Sequence, residues 1–214
     1  PVLAGHPDVE QHQIGGLALC HEAAELGSPV GLADLEAMHG HVFGQRFPNE
    51  VAERLRAVGR GDATWRETTV DLGFKMHPYQ EHGALFLARR GRAFLADDMG
   101  LGKTLQAIVA TLLMRKTAGI KKTLIVCPAS LKHQWASEIA KACGEEARVV
   151  EGSRIVRTAA YQRWKRGFLI LNYELALRDL DAVRAAKAEL VVLDEAQRIK
   201  NWETKTAKAI KELT

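Results

Sequence analysis

From residue 75 onward, short apolar runs alternate with longer segments of helical periodicity. The apolar runs predict strands at residues 93–96 (AFLA), 123–127 (TLIVC), 148–150 (RVV), 168–171 (FLIL) and 190–193 (LVVL). Most of these runs are apolar on both faces, and segments long enough for a helix separate them. This pattern is typical of a buried parallel sheet with crossover helices, so it predicts an α/β fold.

Residues 1–74 have a different pattern, in which short helices are separated by glycine, proline and serine. Helices are predicted at residues 17–26, at residues 32–38 and from Pro48 to Val58, with Gly59 as the C-cap of the last one. Residues 64–72 (TWRETTVDL) are predicted to be extended. A small, mainly helical segment is therefore expected ahead of the α/β part.

The composition of the 214 residues, 47% hydrophobic and 26% charged, is that of a globular protein. No apolar run approaches the roughly 18 to 20 residues that span a bilayer, and the N-terminus has no signal-peptide pattern. The three cysteines include no CxxC pair, and Cys20, His21, His39 and His41 lack the spacing of a zinc site. We therefore expect a reduced intracellular protein, in the cytoplasm, nucleoid or nucleus, with no membrane partner.

The charge is unevenly distributed along the chain. Residues 1–74 carry 5 Lys+Arg against 11 Asp+Glu, a balance of −6, whereas residues 75–214 carry 25 against 15, a balance of +10. Such a division predicts two units with different partners, at 1–74 and 75–214, the second of which suits a polyanion. The acidic unit has no assigned role, although a protein partner is one possibility.

The string DDMGLGKT follows the AFLA strand and precedes a helical run. Glycines allow backbone N–H groups to converge on phosphates, and the following helix N-terminus favours negative charge. Lys103 would neutralise the β- and γ-phosphates, and the Thr104 hydroxyl would bind Mg²⁺. The strict pattern fails at Asp97, where a glycine is usual, and the alternative is a chance glycine turn. The predicted nucleotide-binding residues here are Asp98, Met99, Gly100, Leu101, Gly102, Lys103 and Thr104.

A phosphate-binding loop needs a carboxylate to complete its metal site, and LVVLDEAQ supplies two at the end of a buried strand. Asp194 would hold Mg²⁺ through its water shell, and Glu195 would orient and deprotonate the attacking water. Two exposed acids at a strand end are the alternative. The predicted catalytic residues are Lys103, Asp194 and Glu195.

The ordered strings LADDMGLGKT, TLIVCPASLKHQW, LILNY and LVVLDEAQRIKN resemble the first motor lobe of the Swi/Snf-type ATPases. These enzymes belong to the helicase-like superfamily two of DNA translocases and chromatin remodellers. The resemblance begins near Lys75 and implies a RecA-like P-loop lobe that uses ATP and Mg²⁺ and acts on double-stranded DNA. It also accounts for Asp97, since the family carries an acid there.

The resemblance extends to further residues. Gln80, in the segment HPYQ, corresponds to an upstream adenine-recognising motif, although Pro78 also suits a simple helix start. PASL and LNY resemble motifs that grip a DNA backbone, which implies DNA contacts by Ser130, Lys132, Asn172 and Tyr173. Ser130 could equally cap the helix through Trp135, and Trp135 itself is expected to pack in the core.

Two departures from the family pattern affect the expectations. Gln197 stands where the family usually has His; it can still form hydrogen bonds that couple the ATP and DNA sites, but it cannot be protonated. The sequence contains no second RecA-like lobe, which would supply an arginine finger, so a piece of a longer protein with little ATPase activity of its own is expected. The alternatives are a P-loop NTPase unrelated to nucleic acids and a degenerate lobe that only binds.

Overall fold

The computed structural model describes residues 41–44, 48–95, 100–199, 201 and 203–213. The helices predicted at residues 17–26 and 32–38 lie outside the described residues. The described helices are α1 (Asn49–Ala57), α2 (Ala63–Thr69), α3 (Pro78–Arg90), α4 (Lys103–Ala118), α5 (Lys132–Cys143), α6 (Arg154–Arg163), α7 (Tyr173–Arg178), α8 (Leu180–Ala185) and α9 (Lys205–Lys211). The strands are β1 (His41–Gly44), β2 (Arg92–Leu95), β3 (Lys122–Cys127), β4 (Arg148–Val149), β5 (Gly167–Asn172) and β6 (Leu190–Leu193).

The six described strands form one sheet in the order β2-β1-β6-β3-β5-β4. Strands β6, β3, β5 and β4 are parallel neighbours, as the apolar runs predicted, and all five predicted strands lie within one residue of their expected bounds. Strand β1 was not predicted; it is antiparallel to both β2 and β6. Because β1 is antiparallel to both of its neighbours, β2 and β6 run in the same direction. Their carboxyl ends therefore lie at the same edge of the sheet.

Two apolar layers cover the sheet, which explains why its strands are apolar on both faces. Alternate residues of β3 point to opposite sides: Ile125 packs with the layer that contains α3, α4 and α5, whereas Leu124 packs with the layer that contains α6 to α9. Both side chains are buried. The α/β prediction of a central parallel sheet flanked by helices is therefore confirmed.

The helices between residues 48 and 74 join the first of these layers. Leu55 and Trp65 are buried in the same cluster as α3 and α4. The predicted extended segment at residues 64–72 is wrong, because α2 occupies most of it and buries Trp65 on one face. Gly59 is also not the predicted C-cap: α1 ends at Ala57, and Val58 adopts an extended conformation. The division at residue 75 stays a prediction.

Candidate nucleotide site

The glycine turn that precedes α4 contains two glycines with positive φ angles. Gly100 and Gly102 have φ angles of 89° and 72°, in the left-handed region that glycine adopts most readily. Gly102 is the N-cap of the 16-residue helix α4, which begins at Lys103. The N–H groups of the first turn, together with Lys103, thus lie at the carboxyl edge of the sheet. Asp97, Asp98 and Met99 lie outside the described residues.

Gln80 supports this loop from helix α3. Its side-chain amide Nε2 donates to the Leu101 carbonyl at 3.4 Å, and its Oε1 accepts from the His77 backbone N–H at 3.0 Å. A Cβ on Gly102 would lie 2.5 Å from Gln80 Nε2. Gln80 is 6% exposed, so it both caps the start of α3 and braces the glycine turn. Pro78 occupies the first turn as expected, and the contact of Gln80 with a base stays a prediction.

A second glutamine, Gln106, braces the same carbonyl from inside α4. Its Nε2 donates to Leu101 O at 3.2 Å. It fits only because residue 83 of α3 is glycine, since a Cβ there would lie 1.7 Å from Gln106 Oε1. The sequence motif gave no signal for this contact, which depends on how closely α3 approaches α4.

Asp194 follows β6 and is 5% exposed. Its backbone N–H donates to Val126 O at 2.8 Å, so the β6–β3 ladder continues to the start of the acidic turn. Burial raises the pKa of the Asp194 carboxyl, while hydrogen bonds from Trp135 and from the Glu195 backbone act in the opposite direction. The nearby positive charge of Lys103 also lowers this pKa. The alternative of two exposed acids is therefore wrong for Asp194.

Glu195 has a left-handed backbone conformation, with φ at 55°. This conformation is uncommon for residues other than glycine, asparagine and aspartate and costs on the order of 1 kcal/mol. Outliers of this kind concentrate at functional sites. The turn aims the Glu195 side chain differently from a continued strand, and no sequence rule indicated it.

The donor chemistry of the site suits Mg²⁺, which prefers hard oxygen ligands and is usually bound by one or two protein carboxylates together with substrate phosphates. Thr104 supplies a hydroxyl in the first turn of α4, and Asp194 supplies a buried carboxylate influenced by the Lys103 charge. Within the described residues there is no group of three or more His, Cys, Asp or Glu side chains that could hold a metal by themselves.

Comparison with known proteins identifies the family. A sequence profile of the SNF2-related domain matches residues 79–214. The chain belongs to the SNF2-related family. The human DNA repair and recombination protein RAD54B is 36% identical over 161 residues, which cover 65% of this chain and 17% of that protein. Human TATA-binding protein-associated factor 172 is 33% identical over 165 residues, covering 68% of this chain and 9% of that protein.

Among solved structures, the Sulfolobus solfataricus SWI2/SNF2 ATPase core in complex with dsDNA superposes with a TM-score of 0.56 at 31% identity. The match covers 67% of this chain and 31% of that one. The chain therefore carries a RecA-like lobe of an SNF2-family ATPase domain and spans a small part of the length of its curated relatives. No helix among the described residues of this SNF2-related chain is long and apolar enough to cross a membrane.

Two of the four predicted DNA-contact side chains in this SNF2-related chain turn inward. Lys132 is 8% exposed, and its ammonium donates to Val150 O at 3.1 Å and to Glu151 at 2.9 Å. Tyr173 is 3% exposed, and its hydroxyl donates to Asp194 O at 2.6 Å. Both side chains are buried in this structure, and their contacts with DNA stay predictions.

The other two predicted DNA-contact residues, Ser130 and Asn172, lie at the carboxyl edge of the sheet. Ser130 is exposed in a short 3-10 helix (Ala129–Leu131) and does not cap α5, whose N-cap is Leu131. Asn172 is half-buried at the end of β5 and donates to Glu174 Oε2 at 2.5 Å. Gln197 lies in the 3-10 helix Ala196–Ile199, and its coupling role stays a prediction.

Proposed function

We propose that this chain is the ATP-binding lobe of an ATP-dependent translocase on double-stranded DNA. The observation that carries the proposal is the convergence of three parts on one edge of the sheet. These parts are the glycine turn with Lys103, the acidic turn with Asp194, and the polar side chains of Ser130, which is exposed, and Asn172, which is half-buried. The dsDNA complex of the Sulfolobus solfataricus SWI2/SNF2 core supports duplex DNA as the partner.

In this proposal, Lys103 and the N–H groups that begin α4 bind the β- and γ-phosphates. Thr104 and Asp194 would hold Mg²⁺, which would neutralise charge on those phosphates. Glu195 accepts a proton from the attacking water. The water oxygen forms a bond to the γ-phosphorus as the bond between that phosphorus and the β–γ bridging oxygen breaks. Gln80 contacts the base, and Gln197 couples this site to DNA.

The lobe would act together with a second RecA-like lobe of the same protein. An arginine from that lobe would stabilise the charge on the transferring phosphoryl group, an effect of about 10³- to 10⁵-fold in rate. Opening and closing of the two lobes during ATP turnover would move the protein along the DNA backbone. The balance of +10 in residues 75–214 suits contact with phosphates rather than base edges.

The test is ATP hydrolysis by the full-length protein with and without duplex DNA, across a salt series. We expect DNA to stimulate hydrolysis, and we expect added salt to weaken DNA binding. Lys103→Ala should abolish nucleotide binding, whereas Glu195→Gln should bind ATP and fail to hydrolyse it. Lys141→Ala is the control, because Lys141 is exposed and pairs only loosely with Glu138, at 3.5 Å.

Hydrolysis that duplex DNA leaves unchanged would refute the DNA part of the proposal and favour an NTPase with another task. Undiminished hydrolysis in Glu195→Gln would refute the catalytic assignment and favour a lobe that only binds.

A further inference from the structure

Two buried aromatic side chains reach the acidic turn from different elements. The Trp135 indole N–H donates to Asp194 Oδ2 at 2.7 Å. The Tyr173 hydroxyl donates to the Asp194 backbone carbonyl at 2.6 Å. Trp135 and Tyr173 are 2% and 3% exposed. Asp194 is thus held at its carboxylate by one aromatic and at its main chain by the other.

Each aromatic follows closely after a segment that the proposed function places on DNA. Ser130 lies in the 3-10 helix that leads into α5. Trp135 lies near the start of α5. Asn172 ends β5, and Tyr173 is the next residue. A shift of either segment would therefore move a hydrogen-bond donor of Asp194.

We propose that Trp135 is a positioning residue for the magnesium-binding carboxylate of Asp194, and that Trp135 and Tyr173 together transmit DNA engagement to the nucleotide site. This inference rests on the proposed function. The 3-10 helix Ala129–Leu131 and the end of β5 would then both face DNA and control the position of Asp194 in the ATP site.

The physical basis is the strength and direction of the Trp135 contact. A hydrogen bond to an ionised carboxylate is shorter and stronger than a neutral one, and burial removes competing water. The indole ring has few rotamers and is packed in the core, so its N–H direction is fixed. With Oδ2 held in this way, the Asp194 carboxylate would present its remaining oxygen lone pairs to a bound metal ion in one fixed orientation. Residues that hydrogen-bond to a metal ligand without touching the metal typically affect metal affinity or activity by about 10- to 100-fold.

The chain offers a matched control for each aromatic. Trp164 is also buried, at 4% exposure, and its indole donates to Gly167 O at 3.3 Å near the start of β5, at the opposite edge of the sheet. Tyr161 is 2% exposed, and its hydroxyl donates to Asp179 Oδ2 at 3.0 Å. Removal of one donor from either control disturbs a buried hydrogen bond without touching the acidic turn.

The experiment uses the full-length protein with the variants Trp135→Phe, Tyr173→Phe, Trp164→Phe and Tyr161→Phe. The affinity for a fluorescent ADP is measured in saturating Mg²⁺ and in excess chelator, and thermal unfolding is followed in parallel. We expect Trp135→Phe to reduce the Mg²⁺-dependent gain in ADP affinity by about tenfold or more, with the affinity in chelator changing much less. Trp164→Phe should leave the Mg²⁺-dependent gain at the wild-type value.

Stimulation of ATP hydrolysis by duplex DNA is then measured for the same proteins. Trp135→Phe and Tyr173→Phe should lower the fold-stimulation, whereas Tyr161→Phe should retain it. Tyr173→Phe removes a single oxygen, so it carries the test if Trp135→Phe does not fold.

A Mg²⁺-dependent gain that is unchanged in Trp135→Phe, or reduced equally in Trp164→Phe, overturns the positioning role. Fold-stimulation that both site variants retain overturns the transmission role. Failure of the proposed function looks different, because the wild-type protein would then show no stimulation by DNA at all.

Discussion

Gly83 provides a sharp test of how the candidate phosphate-binding loop is supported. Alanine is normally favoured over glycine inside a helix by about 1 kcal/mol, so Gly83→Ala in α3 would ordinarily be stabilising. Here the new Cβ would lie 1.7 Å from Oε1 and 2.9 Å from Cδ of Gln106. Real Cβ atoms do not approach so closely, so Gln106 must move.

The cost of that movement follows from the surroundings of Gln106. Its side chain is 0% exposed, so it cannot swing into solvent. Displacement breaks its hydrogen bond to Leu101 O and leaves buried polar atoms poorly satisfied, which costs about 1–3 kcal/mol. Overpacking of a buried contact adds about 1–3 kcal/mol. After the helix-propensity gain of about 1 kcal/mol is subtracted, Gly83→Ala should destabilise the fold by about 3 kcal/mol, within a range of about 1–5 kcal/mol.

The assay is urea unfolding of the 214-residue chain in a double-mutant cycle with Gln106→Ala. The second change removes the obstructing side chain, so Gly83→Ala in that background should be neutral or stabilising. The coupling between the two sites should then be at least about 2 kcal/mol. A wild-type background in which Gly83→Ala raises the free energy of unfolding would refute the reasoning, as would equal effects in both backgrounds.

Two further predictions concern the glycine turn and a buried ion pair. Gly102→Ala should weaken ADP binding, measured by fluorescence titration, because it combines a φ of 72° with a Cβ 2.5 Å from Gln80 Nε2. Gly119→Ala shares the φ of 72° but has open space around the Cβ, so equal losses of ADP affinity in both variants would contradict the role of the close approach. Asp179→Asn should destabilise the fold by about 3 kcal/mol at neutral pH, because it breaks a buried pair in which Arg157 donates to both carboxylate oxygens, at 2.6 and 2.8 Å. The Arg157 hydrogen bond lowers the pKa of Asp179, so this stabilisation is present above about pH 4 and is lost as pH falls through the folded pKa; a wild-type advantage that grows on acidification would contradict it.

The strands were predictable because a strand that is buried on both faces appears in the sequence as a continuous apolar run. The run 123–127 is apolar throughout, and β3 occupies Lys122–Cys127. Residues 64–72 were misassigned because threonines and a valine suggested a strand. The segment instead forms a helix whose Trp65 packs into the first layer. Tertiary packing outweighed local propensity there.

The candidate nucleotide site was predictable only where chemistry and sequence spacing coincide. Lys103 and Asp194 were found by motif, but their supports come from residues distant in the chain. Trp135 was expected to be core, which is correct for its burial, yet nothing in the sequence indicated that its indole N–H meets Asp194. The resemblance to DNA-gripping motifs implied a DNA contact for Lys132, but it gave no signal that Lys132 pairs with Glu151, which lies after β4.

The sheet order also governs how the lobe can be made on the ribosome. Among the described strands, β6 is the last in sequence but lies between β1 and β3. Until residues 190–193 have been synthesised, the N–H and C=O groups of β3 on that side have no partner strand, and Leu124 and Val126 lack part of their cover. An open apolar strand edge is a template for pairing with other chains. Nascent chains that pause before residue 190 should therefore be the species most prone to aggregation and most dependent on chaperones.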